Sequence, residues 1–170
     1  YLPNGKRKPI ILLIHGFKGF KDFMYFNLLS DLLCDAGFVM VKMNLSHNGT
    51  TPEQPVDFAD LEAFGNNNYT IELDDIGIML DHIEGPDFKV DKGELDLNEI
   101  YLMGHSRGGG ISIIKAYEDN RIKKLVTLAS VSSLTSVMPV SVIEEWKKTG
   151  VHYVFNGRTK QDMPLYYQLA

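Results

Sequence analysis

The stretch LMGHSRGGG, at residues 102–110, places four glycines, a histidine, a serine and an arginine directly after a run of apolar residues. Residues 99–103 are predicted to form a strand, and residues 109–118 a helix. Ser106 therefore lies on the turn that joins them. Gly104 and Gly108 stand two positions before and after it, which completes the pattern G-x-S-x-G. Glycines at these positions leave room for a sharp turn that presents the serine hydroxyl above a sheet.

The chain on either side of this turn alternates between strand and helix patterns. Strands are predicted at residues 9–16, 38–46, 99–103 and 123–130, and helices at residues 22–37, 70–84 and 109–118. Such an alternation predicts an α/β fold with a predominantly parallel sheet and helices on both faces. Thr70 is the predicted N-cap of the second helix, with Glu72 in a first turn where the helix dipole favours acids.

The last forty residues break this rhythm. They contain one predicted helix, at residues 140–148, followed by an irregular stretch rich in aromatic residues. We therefore predict a core formed by residues 1–131 and a cap or inserted segment formed by residues 132–170. The aromatic side chains of the cap are candidates for lining a pocket, and packing onto the sheet explains them equally well.

Composition narrows the possible functions. A chain of 170 residues is long enough for one domain, and its net charge of −5 argues against nucleic acid as a partner. It has no apolar run of 18 residues, so no membrane span is expected. The single cysteine, Cys34, excludes an intramolecular disulfide and fits a cytoplasmic location. The phosphate-loop, dinucleotide and zinc motifs are missing, so we expect no cofactor and no metal. The oligomeric state stays open.

Three stretches carry a resemblance to a known superfamily. GHSRGG at residues 104–109 resembles the nucleophile turn of the α/β-hydrolase superfamily of serine hydrolases. IHGFKGF at residues 14–20 is similar to its His-Gly-x-x-Gly oxyanion loop, which follows an early strand. NLSHNGTT at residues 44–51 resembles a loop in the branch that contains cinnamoyl esterases. The resemblance covers most of residues 9–130 and implies a partial α/β-hydrolase fold that lacks the C-terminal strands.

The resemblance implies a role for the residues at the turn. Ser106 would be the nucleophile, attacking the carbonyl carbon of a small-molecule ester and forming an acyl-enzyme. The backbone N–H groups of Phe17 and Arg107 would hold the oxyanion. Gly104 and Gly108 would support the turn, as their spacing from the serine already indicates.

The resemblance also assigns roles to the early loop and the histidines. Gly16 and Gly19 would let the loop approach the nucleophile closely. His15 would shape the loop through hydrogen bonds rather than act as the base. His47 is a candidate substrate contact, and His105 is expected to pack under the turn.

The acid and the histidine of a serine-hydrolase triad are not evident in the chain. The superfamily orders its triad as serine, acid and histidine, and the only histidine after Ser106 is His152. We expect both groups beyond residue 170, in a longer protein, and little or no turnover by the 170 residues alone. The prediction is a carboxylic ester hydrolase. The alternatives are a peptidase or thioesterase on the same fold, and a non-catalytic binding protein that lacks the base.

Overall fold

The computed structural model describes residues 1–134 and 138–169. The strands are β1 (Lys8–Ile14), β2 (Val39–Lys42), β3 (Leu95–His105), β4 (Ile122–Leu128), β5 (Val151–Asn156) and β6 (Gln161–Tyr166). The helices are α1 (Phe26–Asp35), α2 (Leu61–Gly65), α3 (Tyr69–Glu84), α4 (Arg107–Glu118) and α5 (Val140–Thr149). Short 3₁₀ turns precede β3, at Lys92–Glu94, and follow β6, at Tyr167–Leu169.

The first four strands form one parallel sheet in the order β2-β1-β3-β4. Ile11 of β1 pairs with Met40 on one side and with Tyr101 on the other. The predicted parallel sheet with helices on both faces is therefore confirmed. Because all four strands run the same way, the carboxyl ends of β1, β2 and β3 lie at one edge, where ligands bind in open α/β sheets.

β1 is buried on both faces, as its unbroken apolar run predicted. Ile10, Leu12 and Ile14 pack in a core beneath α3 and α4, while Ile11 and Leu13 pack beneath α1. The core under α3 and α4 contains Ile76, Leu80 and Ile83 of α3 and Ile111 of α4. The core under α1 contains Phe26, with Leu29 and Leu33 packed against it. One apolar layer therefore covers each face of the sheet, and β1 contributes buried side chains to both layers.

The N-cap of helix α3 lies two residues earlier than the sequence indicated. Its N-cap is Asn68, not Thr70, which lies inside the first turn. Asn68 has an extended backbone, and its side-chain oxygen accepts a hydrogen bond from the Ile71 N–H at 3.0 Å. Asparagine caps a helix at least as well as threonine, so Asn68 can take this position.

The segment predicted to be irregular contains regular structure. The predicted helix is present as α5, and β5 and β6 follow it as an antiparallel hairpin, with Tyr153 opposite Pro164. A third apolar cluster joins this segment to the loop and helix that precede α3; its members are Phe58, Phe64, Trp146, Met163 and Leu165. The Trp146 indole N–H donates to the Leu165 carbonyl oxygen at 2.7 Å. The boundary between core and cap at residue 131 stays a prediction.

Candidate functional site

Ser106 stands alone between β3 and α4, with φ of 54° and ψ of −121°. Residues other than glycine rarely adopt this conformation, which costs about 1–3 kcal/mol and persists only where surrounding contacts impose it. Those contacts are main-chain hydrogen bonds. The Ser106 N–H donates to the Leu128 carbonyl at 2.9 Å, and the Ser106 carbonyl accepts from the Gly109 N–H at 3.0 Å. The sheet and the helix together hold the serine in its strained conformation.

The glycines around Ser106 have no room for a side chain. A Cβ atom on Gly104 would lie 2.5 Å from the Ser112 hydroxyl oxygen. A Cβ atom on Gly108 would lie 2.7 Å from the Ile14 carbonyl oxygen and would overlap the His15 carbonyl oxygen more closely still. Both distances are shorter than real Cβ contacts. The two glycines therefore let α4 start directly against β3 and the end of β1.

The loop after β1 passes directly beside the serine. A Cβ atom on Gly16 would lie 2.9 Å from the Ser106 Cβ and 3.4 Å from the Arg107 backbone nitrogen. The loop then turns tightly, because the Gly19 N–H donates to the Gly16 carbonyl oxygen at 3.0 Å. Phe17, the next residue after Gly16, is half-buried, and its ring centroid lies 5.6 Å from that of Phe64. The structure thus brings together the early loop, the serine and the first residue of α4.

His15 is buried and hydrogen-bonded to the main chain through both ring nitrogens. Nδ1 lies 2.9 Å from the Gly16 carbonyl oxygen, and Nε2 lies 3.2 Å from the Leu45 backbone nitrogen. A carbonyl can only accept and an N–H can only donate, so the proton sits on Nδ1 and Nε2 accepts. Burial lowers the pKa of His15 from 6.5 to about 4, with a smaller contribution from the positive charge of Arg107. The neutral ring ties the early loop to the segment after β2.

The other histidines lie in varied surroundings. The His105 ring packs edge-on against Phe26, with ring centroids 5.7 Å apart, on the side of the sheet covered by α1. His47 is half-buried on the loop after β2, and its Nδ1 lies 2.7 Å from the Ser46 hydroxyl oxygen. His152 lies beside Trp146 in the cluster around α5, with ring centroids 5.8 Å apart. In the part of the chain that the structure describes, no histidine hydrogen-bonds the Ser106 hydroxyl. The role of His47 stays a prediction.

Sequence reasoning missed one polar contact at the site. Glu72 was interpreted as a first-turn acid that interacts with the helix dipole, but its side chain is fully buried and forms an ion pair with Arg107. The signal was available, because Glu72 precedes the buried residues Ile76 and Leu80 at intervals of four on α3. A glutamate on the apolar stripe of a helix needs a buried partner.

Over residues 1–134 and 138–169, no three His, Cys, Asp or Glu side chains come together in a way that could hold a metal ion. Within the same residues, no helix has both the length and the apolar character needed to cross a membrane.

Comparison with known proteins gives the family. A family profile described as "alpha/beta hydrolase fold" matches residues 9–163. No curated protein sequence matches the chain.

Three similar solved structures illustrate the fold. GrgF, an α/β hydrolase from Penicillium sp. sh18, is 14% identical with a TM-score of 0.67, over 98% of this chain and 56% of its own. Est1E from Butyrivibrio proteoclasticus, solved with ferulic acid bound, is 20% identical with a TM-score of 0.60, over 95% and 59%. A ferulic acid esterase from Streptomyces cinnamoneus is 20% identical with a TM-score of 0.57, over 71% and 36%. The chain thus spans less than two thirds of each. With its four-stranded parallel sheet, its serine turn and a family match that covers most of its length, the chain belongs to the α/β-hydrolase fold family.

Proposed function

We propose that the intact protein is a serine hydrolase that cleaves small carboxylic esters through an acyl-enzyme at Ser106. The observation that carries this proposal is the strained conformation of Ser106 directly against Gly16 and at the start of α4. A serine hydroxyl has no structural need for such a backbone. Strain of this kind is concentrated at functional sites, where surrounding contacts maintain it.

The proposed reaction uses the groups around the serine together with a base. The Ser106 oxygen attacks the acyl carbonyl carbon while its proton passes to a base, and the carbonyl oxygen becomes an oxyanion. The backbone N–H groups of Phe17 and Arg107 are the proposed donors to it, aided by the positive end of α4. Collapse of the intermediate expels the alcohol, which takes up the proton, and leaves the acyl-enzyme. Water then hydrolyses the acyl-enzyme and restores the serine.

The base and its acid partner are proposed to come from residues beyond position 170. Without them a serine hydroxyl is a poor nucleophile, because losing a triad member costs many powers of ten in rate. We therefore expect turnover from the intact gene product and not from residues 1–170 alone.

Two observations favour an ester as the substrate. Two of the similar structures are Est1E with ferulic acid bound and a ferulic acid esterase, although at 20% identity they establish only the fold. In this chain the half-buried Phe17 ring packs against the buried Phe64 ring, with ring centroids 5.6 Å apart. An accessible aromatic ring on the loop that carries a proposed oxyanion donor suits an apolar or aromatic acyl group.

Fluorophosphonate labelling tests the proposal. The full-length gene product is treated with a fluorophosphonate, and the modified peptide is mapped by mass spectrometry. Turnover is measured with p-nitrophenyl acetate, methyl ferulate, a thioester and a peptide anilide. We expect the label on Ser106, ester turnover above the other substrates, and a loss of about 10⁴-fold or more in Ser106→Ala. Ser130→Ala is the matched control, because that hydroxyl is nearby and donates to the Val131 carbonyl oxygen at 3.1 Å.

The remaining outcomes decide against the ester proposal. A Ser106 label with preference for the thioester or the peptide would replace it with the corresponding hydrolase on the same fold. A protein that is neither labelled nor active, but binds esters, would be a binding protein without the base.

A further inference from the structure

The Arg107 side chain extends from the serine turn to helix α3. Its guanidinium carbon lies 4.7 Å from the centroid of the Phe17 ring and 5.8 Å from that of Tyr69. Its Nη2 forms an ion pair with Glu72 Oε1. The Arg107 side chain is only 13% exposed, so these contacts form away from bulk water and are weakly screened. We call Arg107, Glu72 and Asn67 the Arg107 bracket.

Glu72 is a fixed anchor for this arginine. It is fully buried, and its Oε1 also accepts a hydrogen bond from Asn67 Nδ2 at 2.6 Å. Asn67, itself buried, lies on the short connection between α2 and α3. The second carboxylate oxygen, Oε2, has no hydrogen-bond partner in the part of the chain that the structure describes. Burial accordingly raises the pKa of Glu72, against the opposing effects of Arg107 and Asn67.

Such an ion pair is a poor source of stability. Removing two charges from water offsets most of their mutual attraction, and an oxygen without a partner adds to this cost. What the pair does give is a fixed geometry, because a planar guanidinium held at one end and stacked on a ring has little freedom.

The bracket connects the two proposed oxyanion donors. Arg107 carries one of them on its own backbone, and the ring against which its side chain packs belongs to Phe17, which carries the other. Gly16 leaves the loop free of side-chain packing where it meets the serine. Arg107 is thus the side chain that ties the loop, the start of α4 and helix α3 together.

We propose that the Arg107 side chain and Glu72 are positioning residues for the oxyanion hole: they fix the Phe17 N–H against the Arg107 N–H and do not themselves touch the substrate. This inference rests on the proposed function of Ser106. A positioning role of this kind differs from a substrate-binding role. Donors that point at the oxyanion stabilise the transition state and affect binding of the ester much less.

The test measures which step the bracket affects. Losing an oxyanion donor outright lowers kcat by about 10²–10³-fold, so misplacing one is expected to cost about 10–100-fold. The variants are Glu72→Gln, Arg107→Lys and Arg107→Gln in the full-length protein. The readouts are the melting temperature, kcat and KM for the best ester, and the inhibition constant of a matching trifluoromethyl ketone, whose adduct with serine carries an oxyanion.

We expect kcat and the affinity for the ketone to fall together by about 10–100-fold in Arg107→Gln and Glu72→Gln, with KM changing less than about threefold. Arg107→Lys keeps the charge and loses the planar group, so it should recover part of the loss. Glu94→Gln is the matched control. Glu94 is a nearly buried glutamate that pairs with Lys8 at 2.7 Å, at the amino ends of β1 and β3, so it should lower the melting temperature and leave kcat unchanged.

Three results would overturn the inference while leaving Ser106 as the nucleophile. They are an unchanged kcat in the bracket variants, a rise in KM alone, and a loss of activity that is fully explained by a loss of folded protein. If Glu72→Gln does not fold, the two Arg107 variants decide the question. A parent protein that the fluorophosphonate does not label would refute the proposed function, and the inference with it.

Discussion

Lowering the pH should destabilise the protein through His15. This imidazole is 3% exposed, and both of its nitrogens are engaged by main-chain groups. Protonation would give the ring a second N–H, at Nε2. That group would directly face the Leu45 N–H, which now donates to Nε2. The folded state therefore resists the proton, and the pKa of His15 falls from 6.5 to about 4.

The sign and size of the effect follow from linkage. Above pH 6.5 the ring is neutral in both the folded and the unfolded chain, so the full stability is present. Between pH 6.5 and pH 4 only the unfolded chain takes up the proton, so stability is lost as the pH falls. At about pH 5 the loss is about 2 kcal/mol, and below pH 4 it approaches about 3 kcal/mol. A domain of this size has only about 5–15 kcal/mol in total, so the effect is large.

Urea unfolding of the parent and His15→Gln, at pH 7.5 and pH 5, measures this directly. The variant should be less stable at pH 7.5, since it replaces only part of the hydrogen bonding. It should also lose about 2 kcal/mol less than the parent on acidification. His47→Gln is the matched control, because its half-buried ring bonds a hydroxyl that can donate or accept. An identical pH dependence in the parent and His15→Gln would refute the reasoning.

Three further predictions test the serine turn, the early loop and the hairpin segment. The free energy of unfolding should be about 1–2 kcal/mol higher for Ser106→Gly than for Ser106→Ala, because glycine tolerates a φ of 54°. Equal stability of the two variants would mean that the turn is unstrained. Gly16→Ala should lower kcat at least about tenfold, because the added Cβ would collide with Ser106. Gly157→Ala is the control, since its Cβ would lie in open space and should leave kcat unchanged. Equal kcat values for the two variants would contradict this prediction. Trp146→Ala should lower the free energy of unfolding by about 3–5 kcal/mol in urea, since the indole is 2% exposed; a loss below about 1 kcal/mol would show that α5 is not part of the core.

The parts of the fold that could be predicted depend on local chemistry. The buried strand β1 is visible as an unbroken apolar run, and the serine turn is visible because its two glycines sit at fixed spacing around Ser106. In both cases the physical requirement acts within a few residues of the chain. The family followed from these local features and from the spacing of the early loop.

The hairpin was not predicted, because its pattern is ambiguous. In β5, Tyr153 and Phe155 are exposed while Asn156 is buried, so apolar and polar residues do not alternate as burial does. The hairpin is stabilised where Met163 and Leu165 pack on Phe58 and Phe64, about one hundred residues earlier in the chain. No short window of sequence contains that information.

Hydrogen bonding by His15 was expected, but its partner Leu45 and the pairing of Arg107 with Glu72 escaped prediction, because both partners are distant in sequence. The glycines control how closely two pieces of backbone approach, which is a local steric matter. The direction in which the Phe17 loop points is controlled from a distance, by His15 bonding to Leu45 thirty positions away and by Arg107 bonding to Glu72 thirty-five positions away. The first contact requires a neutral ring and the second a charged pair, so both depend on burial that only the folded sheet provides. A motif in the sequence can therefore identify a nucleophile, whereas the precision of the donors around it depends on the tertiary structure.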